Sequence, residues 1–203
     1  MRLELAGGWI DLDRPRTPSA LLVLTHGAGG GVETRDVLAA RTAAVAAGVA
    51  VALLTQPYRV AGRSSPPKPG PQDEAWLAML TALRRRRGLG ALPLITGGRS
   101  NGARVACRTA DACGAAGVVA LAFPVHPPGK PANDRLAELD AAHVPVLVVQ
   151  GERDPFGMPP PAEGRTIVVI PGADHALRKE IDTIANAVAG FVTSVAGRAN
   201  VLG

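Results

Sequence analysis

The chain has 203 residues, of which 47% are apolar and 19% charged, enough for one domain with a sizeable core. No apolar run is long enough to cross a bilayer, and the first residues lack the apolar stretch of a secretory signal, so we expect a cytoplasmic protein without membrane partners. The net charge of +5 comes mostly from dispersed arginines and aromatic residues make up only 3%, which argues against nucleic-acid binding.

Apolar runs alternate with helix-forming segments along the chain. The segment 57–71 is rich in proline, serine and glycine and is predicted to hold no regular structure. In chain order, we predict short strands within 1–12, a strand at 20–27, a helix at 34–48, a strand at 49–56, a helix at 72–87, a strand at 92–97, a helix at 101–113, a strand at 117–123, a short helix at 134–142, strands at 144–151 and 165–172, and a last helix from about 176.

The predicted strands are apolar throughout instead of alternating with polar residues. Such strands are buried on both faces, and strands that alternate with helices form parallel sheets. The sequence shows neither a linker nor an internal repeat. We therefore predict an α/β fold, a mainly parallel sheet with helices on both faces, as a single domain over 1–203.

In such sheets the functional residues lie on loops after the carboxyl ends of strands. The glycine-rich segment HGAGGG (26–31) follows the second predicted strand region. A dinucleotide-binding turn needs Gly-x-Gly-x-x-Gly, and from Gly27 the third glycine position holds Val32. The sequence also contains no Gly-Lys-Ser/Thr phosphate loop. Both common nucleotide sites are therefore disfavoured, and we expect no cofactor.

Ser100 lies in the segment GGRSNG (97–102), between a predicted strand and a predicted helix. A serine with glycines two positions away on each side is the pattern of a nucleophile elbow. In that strained turn Gly98 and Gly102 avoid collisions with neighbouring backbone. The same pattern suits a plain turn whose serine caps the following helix. The motif alone does not separate these interpretations.

A serine needs a base to attack a carbonyl, and the base needs an acid to orient it. In the elbow fold the acid and then the histidine follow the serine, each after a later strand. Asp154 and His175 each come just after one of the last two predicted strands. We therefore predict Ser100, Asp154 and His175 as catalytic residues, with Glu152 as an alternative acid.

The oxyanion formed on attack needs fixed donors. The backbone N–H groups of Asn101 and Ala28 are predicted to supply them, with Gly27 in reserve for Ala28. We expect His26 to brace the glycine-rich loop by hydrogen bonding. No spacing of His, Cys and Asp indicates a metal site. Candidates for lining the site are His26, Gly27, Arg99 and His126.

The segments HGAGG, GGRSNGARVA, FPVHPPGKP, VLVVQGERDPFG and PGADHAL together resemble the short, lid-less α/β-hydrolase family akin to dienelactone hydrolases. That family includes relatives of a subunit of the animal non-specific-lethal histone acetyltransferase complex and testis-expressed hydrolase-like proteins. The resemblance runs from about residue 20 to the end and implies Ser100, Asp154 and His175 as the triad. Dienelactone hydrolases use a cysteine nucleophile, so their activity is not implied. Asn101 stands where methionine is common.

These features predict a small serine hydrolase that cleaves an ester or thioester through an acyl-enzyme. Few residues separate strand 117–123 from the next helix, where larger relatives insert a cap domain. We therefore expect an open, shallow site bounded by segments 56–71 and 123–133. The alternative is a non-catalytic binding or scaffold protein that retains the fold. The sequence indicates neither the acyl and alcohol groups nor the oligomeric state.

Overall fold

The computed structural model describes residues 1–202, with side chains described up to Ala199. No helix in that range is long and apolar enough to cross a membrane. The elements of the described range are, in chain order, β1 (Arg2–Leu5), β2 (Gly8–Asp13), β3 (Leu21–Thr25), α1 (Arg35–Ala46), β4 (Ala50–Thr55), α2 (Pro57–Val60), α3 (Pro69–Arg84), β5 (Leu94–Arg99), α4 (Asn101–Cys113), β6 (Gly117–Leu121), α5 (Leu136–Asp140), β7 (Val146–Gly151), β8 (Arg165–Ile170) and α6 (Ile181–Leu202).

The strands form one eight-stranded sheet in the order β1-β2-β4-β3-β5-β6-β7-β8. Strands β3 to β8 run parallel to one another. At one edge β2 pairs antiparallel with β4, and β1 pairs antiparallel with β2. The predicted fold class, a mainly parallel sheet in an α/β fold, is confirmed.

Successive residues of the parallel strands pack on opposite faces of the sheet. On one face, Leu22 and Leu24 of β3 belong to the apolar cluster that includes α1 and α6. On the other face, Leu21 and Val23 belong to a cluster with α3, and α4 and α5 cover β6 and β7. Because both faces are covered, the central strands are mostly apolar and do not alternate with polar residues.

The segment 57–71 differs from its prediction as a stretch without regular structure. It contains α2 and the first residues of α3. Both helices begin at a proline, Pro57 and Pro69. Proline has no N–H to leave unpaired there, and its fixed φ suits the first helical position. The composition was therefore compatible with helix starts as well as loops.

The last helix also starts later than predicted, at Ile181 instead of about 176. Two residues of the intervening segment, Leu177 and Glu180, have a φ of 47°. A right-handed helix cannot run through residues with positive φ. The segment after His175 therefore forms a loop, closed by the fully buried side chain of Leu177.

The parallel strands bring four loops to the same edge of the sheet. In the register of β3 with β5, Thr25 lies opposite Gly98, so HGAGGG and Ser100 follow neighbouring strand ends. Asp154 follows β7, and His175 follows β8. The sheet thus gathers the predicted site residues at its carboxyl edge.

Candidate active site

Ser100 forms a sharp turn between β5 and α4. Its backbone has φ 53° and ψ −113°, and its side chain makes no capping hydrogen bond to α4. The Ser100 N–H is instead held by the carbonyl of Leu121, at 2.9 Å. A non-glycine residue in such a conformation costs about 1–3 kcal/mol. The serine therefore does not cap α4, and its positive φ is the backbone geometry that the strained turn of a nucleophile elbow requires.

The glycines on either side of Ser100 allow this turn to approach β3. A Cβ on Gly98 would lie 2.7 Å from the carbonyl oxygen of Thr25, and a Cβ on Gly102 would lie 2.7 Å from that of His26. Both atoms belong to backbone and cannot move aside. Only glycine fits at the two positions, as the sequence pattern predicts.

The Ser100, His175 and Asp154 side chains form a continuous hydrogen-bonded chain. His175 Nε2 lies 2.9 Å from Ser100 Oγ, and His175 Nδ1 lies 2.9 Å from Asp154 Oδ2. We assign the imidazole proton to Nδ1, because a carboxylate can only accept. Nε2 is then free to accept from the serine hydroxyl. The Asp154 side chain is 1% exposed, which shields its bond to the imidazole from water.

Two neighbours fix the Asp154 carboxylate. The Gln150 amide Nε2 donates to Oδ2 at 2.9 Å, and the Phe156 backbone N–H donates to Oδ1 at 2.9 Å. The Phe156 ring also packs on the imidazole of His175, with 4.1 Å between ring centroids. The acid and the base are therefore held by groups outside the pair.

The alternative acid Glu152 does not reach His175. Its carboxylate accepts the backbone N–H of Gly172 at 2.7 Å and lies exposed. Asp174, next to the histidine in sequence, accepts the backbone N–H of Ala176. Of these three acids, the one that orients the imidazole is Asp154.

The glycine-rich loop lies directly over the serine. A Cβ on Gly27 would be 3.5 Å from Ser100 Cβ. Within the described residues, the backbone N–H groups of Ala28 and Asn101 donate no hydrogen bond; Asn101 opens α4, where the first N–H groups have no partner within the helix. The Tyr58 hydroxyl fixes the loop from behind by donating to the Ala28 carbonyl at 2.7 Å. Two unused donors therefore flank Ser100.

His26 braces this loop from below and is fully buried, so it does not line the site. Its Nε2 accepts the Gln56 backbone N–H at 3.0 Å, and its Nδ1 lies 2.8 Å from the Gly27 carbonyl. Burial lowers the pKa of His26, so the ring is neutral, with its proton on Nδ1. That tautomer satisfies both contacts.

Arg99 connects three parts of the site. Its Nη2 donates to the backbone carbonyl of His175 at 2.6 Å, and its Nε lies 3.1 Å from the carboxylate of Asp36 in α1. Asp36 is fully buried. The residue before the serine thus ties the elbow to the histidine loop and to the helix that follows the glycine-rich loop.

The comparison with known proteins is consistent with this geometry. A family model described as an alpha/beta hydrolase domain matches residues 18–191. The chain belongs to the α/β-hydrolase family. No functionally curated protein matches its sequence.

Several solved structures share the fold of this α/β hydrolase at low sequence identity. A lid-less α/β serine hydrolase from Xanthomonas campestris is 20% identical, with a TM-score of 0.70 over 96% of this chain and 94% of that one. The Butyrivibrio proteoclasticus protein Est1E, bound to ferulic acid, is 17% identical, with a TM-score of 0.71 over 96% and 98%. A dienelactone hydrolase from Anabaena variabilis is 16% identical, with a TM-score of 0.70 over 92% and 89%.

The two segments expected to bound the site in this α/β hydrolase contact its loops. In segment 56–71, Tyr58 and Arg59 hold the glycine-rich loop through backbone carbonyls. In segment 123–133, the His126 backbone N–H donates to Phe156, and its ring lies 2.7 Å from where a Cβ on Gly157 would be. His126 therefore packs behind the Asp154 loop.

Sequence reasoning missed two residues of this α/β hydrolase, Gln150 and Phe156, which contact Asp154 and His175. A usable signal existed for Gln150, a polar residue near the end of the apolar strand VLVVQG. A polar side chain in a fully buried strand needs a partner there. Phe156 carried no such signal, since its contact to His175 depends on how two loops meet.

Proposed function

We propose that this α/β hydrolase is a serine hydrolase that cleaves an ester or thioester through an acyl-enzyme. The observation that carries the proposal is the unbroken chain from Ser100 Oγ through His175 to Asp154, with 2.9 Å at each step. A nucleophile, base and orienting acid in this order make a serine hydroxyl reactive at neutral pH.

In the proposed reaction, Ser100 Oγ attacks the substrate carbonyl carbon as its proton passes to His175 Nε2. The resulting imidazolium is stabilised by Asp154 across Nδ1–H. His175 then returns the proton to the departing oxygen or sulfur, and the carbon–oxygen or carbon–sulfur bond breaks. Water, deprotonated by the same imidazole, releases the acyl group and restores the serine.

The Ala28 and Asn101 N–H groups are proposed to hold the oxyanion of each tetrahedral intermediate. Both lie beside Ser100 and are unused by the described residues. Loss of one such donor typically raises the barrier by about 3–4 kcal/mol. The peptide that carries the Ala28 N–H is held by His26, whose Nδ1 donates to the Gly27 carbonyl at 2.8 Å. The Tyr58 hydroxyl donates to the next carbonyl, that of Ala28.

A direct assay compares wild type with Ser100→Ala on 4-nitrophenyl esters of increasing acyl length. Wild type is expected to release nitrophenolate with saturation kinetics, and the variant to lose about 10³-fold or more in kcat. The Ser64→Ala variant, an exposed serine near the same loop, is the matched control and keeps activity. An inert wild type would instead favour a scaffold role for the fold.

A further inference from the structure

A cleft of about 650 Å³ is lined in part by the sequence neighbours of Ser100 and His175. Its position follows from the chain: Arg99 directly precedes the serine, and Ala176 directly follows the histidine. The cleft therefore lies between the start of α1 and the histidine loop. Its lining residues are Glu33, Thr34, Arg35, Arg99, Ala176 and Arg178.

The Arg99 guanidinium presents a free edge to this cleft. Its Nη2 donates to the His175 carbonyl, and its Nε forms an ion pair with the Asp36 carboxylate at 3.1 Å, without hydrogen-bond geometry. Nη1 has no hydrogen-bond partner among the described residues and lies 3.5 Å from where a Cβ on Gly27 would be. A guanidinium fixed on two sides offers its remaining donors with little further loss of conformational entropy.

Arg35 and Arg178 face the cleft from opposite walls. Both are exposed, and neither pairs with a carboxylate among the side chains that the structure describes. Glu33 is the acid in the lining, and Asp36 lies beneath Arg99. Three arginines against these two acids leave a surplus of one positive charge, which matches a carboxylate better than a phosphate dianion.

Thr34 adds an unused hydroxyl to the same lining. Its Oγ1 is buried and has no hydrogen-bond partner among the described residues. Thr34 also precedes α1, a helix of 12 residues whose first N–H groups receive no side-chain cap. A buried hydroxyl without a partner is unusual in folded proteins.

We propose that this cleft binds a carboxylate on the leaving group of the substrate. This inference rests on the proposed function, because the leaving group is defined by the reaction at Ser100. His175 must protonate the departing atom, so the departing group lies on the histidine side, where the cleft opens. The substrate class is thus an ester or thioester whose alcohol or thiol carries a carboxylate.

Three thioacetates that differ only in the leaving thiol test the proposal: S-acetyl-3-mercaptopropionate (anionic), S-propyl thioacetate (neutral) and acetylthiocholine (cationic). Released thiol is measured with Ellman's reagent. Wild type is expected to favour the anionic over the neutral substrate by about tenfold in kcat/KM, the size of one charged hydrogen bond. The preference should shrink as salt is added, because the arginines are partly exposed.

Substitutions in the cleft test whether its residues cause the preference for the anionic substrate. Arg35→Gln with Arg178→Gln should reduce the ratio of kcat/KM for the anionic and neutral substrates to about one. Glu33→Gln removes the competing acid and should raise the ratio. Arg16→Gln, an exposed arginine outside the cleft lining, makes the same charge change and should keep the wild-type ratio.

The two proposals fail in different ways. Hydrolysis of 4-nitrophenyl acetate that depends on Ser100, with similar rates for the three thioacetates or a preference for acetylthiocholine, overturns the carboxylate subsite and leaves the serine hydrolase intact. A double variant that keeps the wild-type ratio also overturns the subsite. A protein that hydrolyses neither the nitrophenyl ester nor any thioacetate overturns both proposals.

Discussion

Arg99 Nη2 donates a 2.6 Å hydrogen bond to the backbone carbonyl of His175. The residue before the proposed nucleophile therefore holds the loop that carries the proposed base. The buried carboxylate of Asp36 forms an ion pair with the same guanidinium, 3.1 Å from Nε, without hydrogen-bond geometry. The guanidinium contacts the two groups through different nitrogens, whereas a lysine presents a single ammonium nitrogen.

Arg99→Lys should therefore lower kcat by about 10- to 100-fold with little change in KM, because small misplacements of catalytic groups have large effects on the chemical step. Steady-state kinetics on a 4-nitrophenyl ester measure both constants. The matched control is Arg198→Lys, an exposed arginine of α6 whose hydrogen-bond partner among the described side chains is Ser194. A kcat within about twofold of wild type would show that Arg99 does not position His175.

Asp154→Asn should lower kcat by about 10³- to 10⁴-fold, because an amide no longer stabilises the imidazolium or fixes the proton on Nδ1. Glu152→Gln makes the same change two residues away, on a side chain that contacts Gly172 and not His175. That variant should behave like wild type. Equal losses in both variants would contradict the assignment of the acid.

Gly102→Ala should lower the free energy of unfolding by about 3 kcal/mol or more, since its Cβ would meet backbone of β3 and the following residue. Gly190→Ala in α6 is the control, because a Cβ there meets nothing within 4 Å. In a helix interior that change should stabilise by about 0.5–1 kcal/mol. Urea unfolding measures both. A stable Gly102→Ala protein would contradict the close packing of the elbow.

His26 predicts a pH dependence of stability. Burial lowers its folded pKa, whereas in the unfolded chain the pKa is about 6.5. Between the two values the unfolded chain binds more protons, so stability is full above about pH 6.5 and falls as the pH drops toward the folded pKa.

Urea unfolding of wild type and His26→Gln across this range tests the dependence. The variant loses the titrating group, so its stability should fall less steeply as the pH drops, whatever its stability at neutral pH. Parallel curves for the two proteins would show that the buried imidazole is not the source of the slope.

Much of this arrangement follows from sequence for a physical reason. Parallel strands share one carboxyl edge, so residues that follow different strands meet there even when distant in the chain. That reasoning predicted that Ser100, Asp154 and His175 would gather, and the structure places their side chains within hydrogen-bond distance. The role of the glycines at 98 and 102 could also be predicted, because glycine allows a neighbouring backbone segment to approach closely.

The contacts that were not predictable depend on how loops pack against each other. Arg99 was expected only to line the site, since nothing in GGRSNG indicates a partner in α1. The contact of Phe156 with His175 joins two loops of irregular structure. The proline-rich segment was misassigned because proline starts helices as well as interrupting them.

The central claim, a reactive serine at position 100, is tested most directly by covalent labelling. A fluorophosphonate probe reacts with a serine activated by a hydrogen-bonded histidine, and intact-protein mass spectrometry counts the adducts. We expect one adduct per wild-type chain, located on Ser100 by peptide mapping and lost in Ser100→Ala but retained in Ser64→Ala. An unlabelled wild type, or equal labelling of Ser100→Ala, would contradict it.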